Sequence, residues 1–393
     1  MPYFGLAAAI LSAAIWLYLL LARGNFWHIR SFEDDLATHP PPKTWPRVAA
    51  IVPARNEAET IAQAITSLTQ QNYAGELSII LVDDHSEDAT AQLAQQTAAQ
   101  LGATDRIIIR LAPPLPAGWT GKLWALKAGT SALSSAPDYV WFTDADITHA
   151  PDTLTRLVAR AEKNTLDLTS LMVLLHAETL AERSTIPAFL FFFLKLYPPS
   201  WIADPKARTA GAAGGCILLR AKALERIGGL ESIRQEVIDD CALARAVKRS
   251  GGKIWMGLTR QSVSLRRYNS FTEVRDMITR TAFTQLHYST LLLAGTLIGL
   301  AATYLAPITL LFAHESATRV VALATWLTMS LCFLPTIRYY RLNPLWAAFL
   351  PATAAFYAYA TFLSAIRYYL KRGAQWKGRS QAPVTPLKPP NLL

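Results

Sequence analysis

The chain has 393 residues, of which 52% are hydrophobic and only 17% charged, against about 25% charged in an ordinary soluble domain. That balance argues against a wholly water-solvated protein and for a membrane, while the length allows one large domain or two ordinary ones. The formal net charge of +10 suits anionic lipid or phosphorylated substrates; with no zinc-ligand spacing and no recognised nucleic-acid motif, no nucleic-acid partner is expected.

Residues 3–22 form an uncharged, mostly apolar run of transmembrane length. No basic stretch precedes it and no small-residue cleavage site follows, so an anchor is expected rather than a signal peptide. Arg23, His28 and Arg30 come next and place the following segment in the cytoplasm. A Pro-rich linker, His39-Pro-Pro-Pro42, follows. The expected division is an anchor over 1–24, a linker over 25–46, a catalytic domain over 47–285, membrane or interfacial helices over 286–366, and a basic cytoplasmic tail over 367–393.

Within 47–285, strands are predicted at 48–52, 77–82, 106–111 and 139–143, with helices at 57–69, 89–101 and 122–132 between them. The alternation predicts a parallel, doubly wound sheet. Residues 167–175 resume extended character. The run 186–197 is apolar but too short to span; it reads either as a core helix or as an interfacial helix beside the site. Three further apolar runs, 288–313, 320–337 and 345–366, approach spanning length and contain no acid or base, which argues against transport. Three crossings would put the C-terminus outside, yet Arg367, Lys371, Arg372, Lys377 and Arg379 place the tail inside. The run 345–366, interrupted by Pro351, is the candidate for a re-entrant or interfacial segment. Cys216, Cys241 and Cys332 make neither a disulfide framework nor a CxxC motif. Reduced thiols fit a cytoplasmic domain.

Polar groups gather after successive strands: Val52-Pro-Ala-Arg-Asn-Glu57, Val82-Asp-Asp-His-Ser-Glu-Asp88 and Asp144-Ala-Asp146. Ligands bind at that edge of an open α/β sheet. Alternating aspartates there can hold Mg²⁺ or Mn²⁺ and bridge to a diphosphate. Downstream, Asp239 and Asp240 precede residues 241–249, which have helical spacing; they read as helix caps or as a general base. Neighbouring carboxylates would raise such a base and the helix terminus would lower it.

These four features, in this order and spacing, resemble the family-2 glycosyltransferases of GT-A fold over about residues 47–285. The resemblance implies a Rossmann-like mixed sheet, to which the apolar runs add one N-terminal and about three C-terminal membrane helices. It also implies that Pro53, Arg55, Glu57 and Asp84 serve the nucleotide, Asp84 contacting the base. Asp146, with Asp144, would bind the metal, and Asp240, beside Asp239, would be the base. Gly118-Trp-Thr-Gly-Lys-Leu-Trp-Ala-Leu-Lys-Ala-Gly129, Gly211-Ala-Ala-Gly-Gly-Cys216 and Arg280-Thr-Ala-Phe-Thr-Gln-Leu286 narrow it toward hopanoid-biosynthesis-associated membrane glycosyltransferases and, more distantly, ceramide glucosyltransferases. That resemblance puts Lys122 near the donor phosphates and Gly214 and Gly215 where backbone meets sugar or acceptor. Processive members carry Gln-x-x-Arg-Trp; here Met277-x-x-Arg280-Thr281 keeps only the arginine. Arg280 is then a diphosphate partner, and a single transfer is favoured over polymerisation.

The expectation is an inverting enzyme of the inner (cytoplasmic) membrane. It would move a sugar from a nucleotide-diphospho-sugar, a UDP-sugar first, to a membrane lipid acceptor, with the catalytic domain in the cytoplasm. A processive polysaccharide synthase, a nucleotidyltransferase and an inactive membrane scaffold are the competing readings.

Overall fold

A computed structural model describes residues 2–33, 40–133, 136–370, 375–377 and 379–380. His39 of the expected linker, and Lys371 and Arg372 of the basic tail, lie outside the described residues.

Eight strands form one sheet: β1 Val48–Ala54, β2 Leu77–Asp83, β3 Ile107–Leu111, β4 Tyr139–Thr143, β5 Ile147–His149, β6 Leu168–Leu174, β7 Cys216–Arg220 and β8 Ile254–Ser264. Their spatial order is β3-β2-β1-β4-β7-β6-β8-β5. The first four strands pair in parallel. All seven residues of β1 and all five of β4 are buried, as strands covered on both faces must be. The two faces carry separate cores, one including Ile51, Val82 and Phe142, the other Val52, Ala50 and Trp141.

The second half of the sheet departs from the parallel expectation. β7 runs antiparallel to both β4 and β6, β6 is parallel to β8, and β5 is antiparallel to β8. The sheet is mixed, as the GT-A resemblance implied. Local alternation of strand and helix governs order only where the connection is a short crossover. Between β6 and β7 the chain makes a long excursion that includes the helix Leu180–Leu196.

That helix corrects the expectation for 186–197. Thr179 and Glu182 form a capping box that starts it six residues earlier than the apolar run. The Glu182 carboxylate accepts from the backbone N–H groups of Glu178, Thr179 and Tyr268, so its charge is tolerated in a buried position. Residues Leu180–Ala203 thereby become one of five helical stretches among the described residues that are long and apolar enough to cross a membrane, with Phe4–Ala22, Thr290–Phe312, Ser316–Tyr339 and Pro344–Tyr369.

These helices pack on each other and on the sheet domain. Trp16 donates to the Thr303 carbonyl at 2.8 Å and meets Tyr304 edge-on. The helix Leu350–Tyr369 bonds directly to the domain: Thr353, Tyr357 and Ser364 hydroxyls donate to the carbonyls of Ser184, Thr185 and Thr279. Beyond it, Gln375–Trp376 pairs antiparallel with Arg379–Ser380. The intervening Lys377 returns to the turn after β1.

Candidate active site

Three parallel strands deliver side chains to one edge. β1 is followed by Arg55, Asn56 and Glu57, β2 by Asp84, and β4 by Asp144. The first two turns are laced together. Asn56 and His85 adopt left-handed backbone, with φ of 52° and 54°, a region these residue types tolerate better than most. The Asn56 N–H donates to Ser86 Oγ, and the Glu87 N–H donates to Asn56 Oδ1. Arg55 is buried, and its guanidinium donates to the carbonyls of Asp84, His85 and Lys377 and to Glu87. Arg55 thus braces the two turns. Asp84 is fully buried; Pro53 and Glu57 line the adjoining cavity, and Asp84 is not among its described lining residues.

That cavity holds about 510 Å³. Its polar end includes Glu57, Lys122, Asp144, Asp146, Asp239 and Asp240. Its apolar lining includes Phe189, Phe192, Phe193, Leu196, Leu286 and Leu300. Arg280 and Met277 line it as well, so the remnant of the processive motif faces the same space.

Lys122 sits in the first turn of the helix Gly121–Ser131. A Cβ on Gly129 of that helix would collide with Ile51, so the helix lies directly on β1. Lys122 Nζ is 2.8 Å from Asp144 Oδ1 and 3.6 Å from Asp239 Oδ2. Burial opposes its charge, but Asp144, Asp239 and Asp240 outweigh burial and hold the ammonium protonated. Lys122 therefore couples the Asp144-Ala-Asp146 turn to the helix Asp239–Arg249.

Asp240 is held from two sides. Its Oδ2 accepts from the Gly214 N–H at 2.9 Å and its Oδ1 from the Cys241 N–H at 2.7 Å. A Cβ on Gly214 would stand 3.2 Å from Lys122 Nζ and 3.4 Å from Asp240 Oδ2, so any side chain there would press on the lysine and touch the aspartate. Burial, then the Asp239 charge, push the Asp240 carboxyl up to about 6; Lys122 and the two N–H groups oppose them. The sequence left that balance open, and burial decides it.

The Asp146 carboxyl is likewise pushed up to about 6, by burial first and then by Asp144 and Glu57, against Arg266 and Lys377. Among the described residues, no hydrogen bond or ion pair engages the Asp146 carboxylate, although the Asp146 carbonyl accepts from the Leu265 N–H. A half-buried carboxylate with no hydrogen-bond partner suits a cation. Among the described residues, no group of three or more His, Cys, Asp or Glu side chains is arranged so that it could hold a metal ion by itself. Asp144 and Asp146 nonetheless fit Mg²⁺ or Mn²⁺, which is commonly held by one or two carboxylates together with substrate phosphates and water.

Sequence reasoning missed Arg266, Tyr268 and Lys377, all of which line the cavity. Arg266-Arg267 after β8 was a visible basic pair; nothing near Lys377 tied it to residues more than 300 positions earlier. His149 needs no functional reading. Its two ring nitrogens face Thr143 and Ser262 hydroxyls at 2.8 Å, and burial pushes the ring down to about 3.

Residues 49–228 match the model of glycosyl transferase family 2. An N-acetylglucosaminyltransferase of Rhizobium leguminosarum bv. viciae is 32% identical over 156 residues, covering 37% of this chain and 34% of that protein. An undecaprenyl-phosphate 4-deoxy-4-formamido-L-arabinose transferase of Pseudomonas fluorescens is 30% identical over 118 residues, covering 30% of this chain and 32% of that one. The chain thus spans about a third of the length of these curated relatives. A mannosyltransferase from Pyrobaculum calidifontis, solved in complex with GDP-Man and Mn²⁺, superposes with a TM-score of 0.58 at 19% identity, covering 92% of this chain and 98% of that one. At that identity the likeness concerns the fold alone. The family match over residues 49–228, with a mixed sheet that continues past it to β8, marks a family-2 glycosyltransferase domain of GT-A fold.

Proposed function

We propose that the protein transfers a single sugar, with inversion, from a nucleoside-diphosphate sugar to a hydroxyl of a membrane lipid. One observation carries the reading: a single cavity joins the carboxylates Asp144, Asp146 and Asp240 to an apolar wall built from helices of membrane-spanning composition. An apolar wall continuous with such helices gives the hydrocarbon of a lipid a surface on which to lie.

Asp144 and Asp146 would hold the metal, which when bound supplies positive charge to the leaving diphosphate. Arg266 and Arg280 line the same space and add fixed positive charge for that leaving group. Asp240 takes the proton of the acceptor hydroxyl. The new bond forms between the hydroxyl oxygen and the anomeric carbon as the bond to the diphosphate breaks. The bonding pair departs with the diphosphate. A carboxyl raised to about 6 is ionised at neutral pH yet more basic than an ordinary aspartate, which suits a general base. The two N–H groups hold its oxygens fixed.

The UDP form of the donor and a hopanoid-related acceptor rest on the sequence resemblance. The lipid class is supported further by the relative whose name includes undecaprenyl-phosphate. The proposed location is the inner membrane with the domain in the cytoplasm. Lys377 pairs with Glu57, so an even number of crossings separates domain from tail. The helix Leu350–Tyr369, bonded to the domain through Thr353, Tyr357, Ser364 and Arg367, is then read as lying along the interface.

The test is purified protein in detergent with Mn²⁺, a panel of UDP-, GDP- and dTDP-sugars, and a membrane lipid extract, followed by mass spectrometry. Free nucleoside diphosphate with a new one-sugar lipid is the expected result. Nucleotide release without glycolipid would remove the lipid acceptor from the reading. No metal-dependent turnover of any donor by folded protein would overturn the reading.

A further inference from the structure

The tail is built into the donor end of the cavity. Lys377 lies 321 residues after Asn56, yet its Nζ donates to the Asn56 carbonyl at 3.0 Å and stands 2.9 Å from Glu57 Oε1. The contact is reciprocal, since Arg55 Nε donates to the Lys377 carbonyl at 3.1 Å. Three consecutive residues of the turn after β1 thus engage one tail residue through both its main chain and its side chain. The flanking strands Gln375–Trp376 and Arg379–Ser380 pair with each other, and Lys377 occupies the turn between them with φ of 46°. A lysine in left-handed backbone is uncommon, so the surroundings fix its place.

The position is charged on all sides. Lys377 lines the cavity with Glu57, Asp144, Asp146, Arg266 and Arg280. Its side chain is about one-fifth exposed, and that of Glu57 less so. A surface lysine would gain little from one such pair, and three donors on Nζ leave room for another acceptor. A diphosphate placed against Asp144 and Asp146 through a divalent cation would bring oxygens to this cluster. An ammonium is a suitable point-charge partner for them.

Resting on the donor reading above, we propose that Lys377 is a donor-positioning residue: held against the β1 turn, it contributes an ammonium to the diphosphate of the nucleotide sugar. The tail then follows the membrane helices in sequence but belongs to the nucleotide site in function.

The test uses the full chain in detergent, with UDP and GDP as probes, each with Mn²⁺ and without acceptor, in calorimetric titrations. Lys377→Ala and Lys377→Gln should weaken the better-bound diphosphate about tenfold or more, as expected for loss of one charge-assisted bond. The matching nucleoside monophosphate should be weakened much less, and Lys377→Arg should recover most of the loss. In turnover the same variants should raise the donor KM and leave the acceptor KM unchanged. Equal binding of diphosphate by wild type and Lys377→Ala would overturn the proposal while leaving the glycosyltransferase reading intact. Equal weakening of mono- and diphosphate would also overturn it, reducing Lys377 to a brace for the β1 turn. Failure of the wild type to bind either diphosphate would overturn the donor reading itself, and the proposal with it.

Discussion

The two ends of the cavity are built on opposite principles. At the polar end, charge is concentrated and fixed: Lys122 lies between Asp144 and Asp239, and Asp240 is pinned by the N–H groups of Gly214 and Cys241. At the other end, Phe189, Phe192, Phe193 and Leu196 present hydrocarbon from one helix. The polar end needs few atoms at exact distances, because electrostatic interactions depend steeply on geometry in a dry site. The apolar end needs area, because the hydrophobic effect is non-directional and scales with surface removed from water. Chemistry and acceptor retention can therefore be damaged separately.

The largest separation is expected from Asp240→Asn. Transfer should fall by about 10²–10⁴, the usual worth of a positioned base, while affinity for nucleoside diphosphate with Mn²⁺ stays near wild type. Surviving turnover would move the base elsewhere. Asp146→Asn should act on the same end differently. It removes a carboxylate that no protein group hydrogen-bonds, so Mn²⁺-dependent nucleotide binding should be lost, by about a hundredfold or more, and transfer with it. Nucleotide binding that ignores Mn²⁺ in the wild type would sink the metal assignment.

The pH dependence sharpens the comparison further. The Asp240 carboxyl lies above its ordinary value, at about 6, and it must be ionised to act. Activity should thus be present above about pH 6 and fall about tenfold for each unit below it, as the fraction of ionised base does. A rate unchanged down to pH 5, measured with saturating donor, would exclude an acid of this pKa as the base.

At the apolar end, Leu196→Asp should raise the lipid acceptor KM by about tenfold, since a charge there costs more than 1.4 kcal/mol in contact with hydrocarbon. Donor hydrolysis in the absence of acceptor should be unaffected. The residue is 45% exposed, so the fold should survive. A smaller effect is expected from Gly214→Ala, whose methyl group would crowd Lys122 Nζ and Asp240 Oδ2. A rate loss of a few-fold to tenfold with little change in melting temperature would fit a displacement of a few tenths of an ångström.

Much of this was legible in the chain itself. Strand positions β1 to β4, the turns that follow them, and the helix behind Asp239 and Asp240 follow from apolar runs, period and capping chemistry, all local properties. The acids of the polar end could be named because each sits in a short motif at the end of a recognisable element. Composition alone pointed to helices of spanning length. The start of the helix Leu180–Leu196 was misplaced because a buried Glu182 broke the apolar run; its three backbone donors, one of them from Tyr268, are visible only in three dimensions.

Tertiary structure alone decided the rest. It set the antiparallel placement of β7, which the chain reaches after a long excursion. It placed the Arg55 guanidinium against the backbone carbonyls of Asp84, His85 and Lys377 and the Glu87 carboxylate, contacts that no local motif reveals. It set the pKa of Asp240, because desolvation depends on everything packed around a carboxylate and not on its neighbours in sequence. And it brought Lys377 to Glu57. Local propensity acts over a few residues, whereas burial, charge pairing and chain return act across the whole molecule.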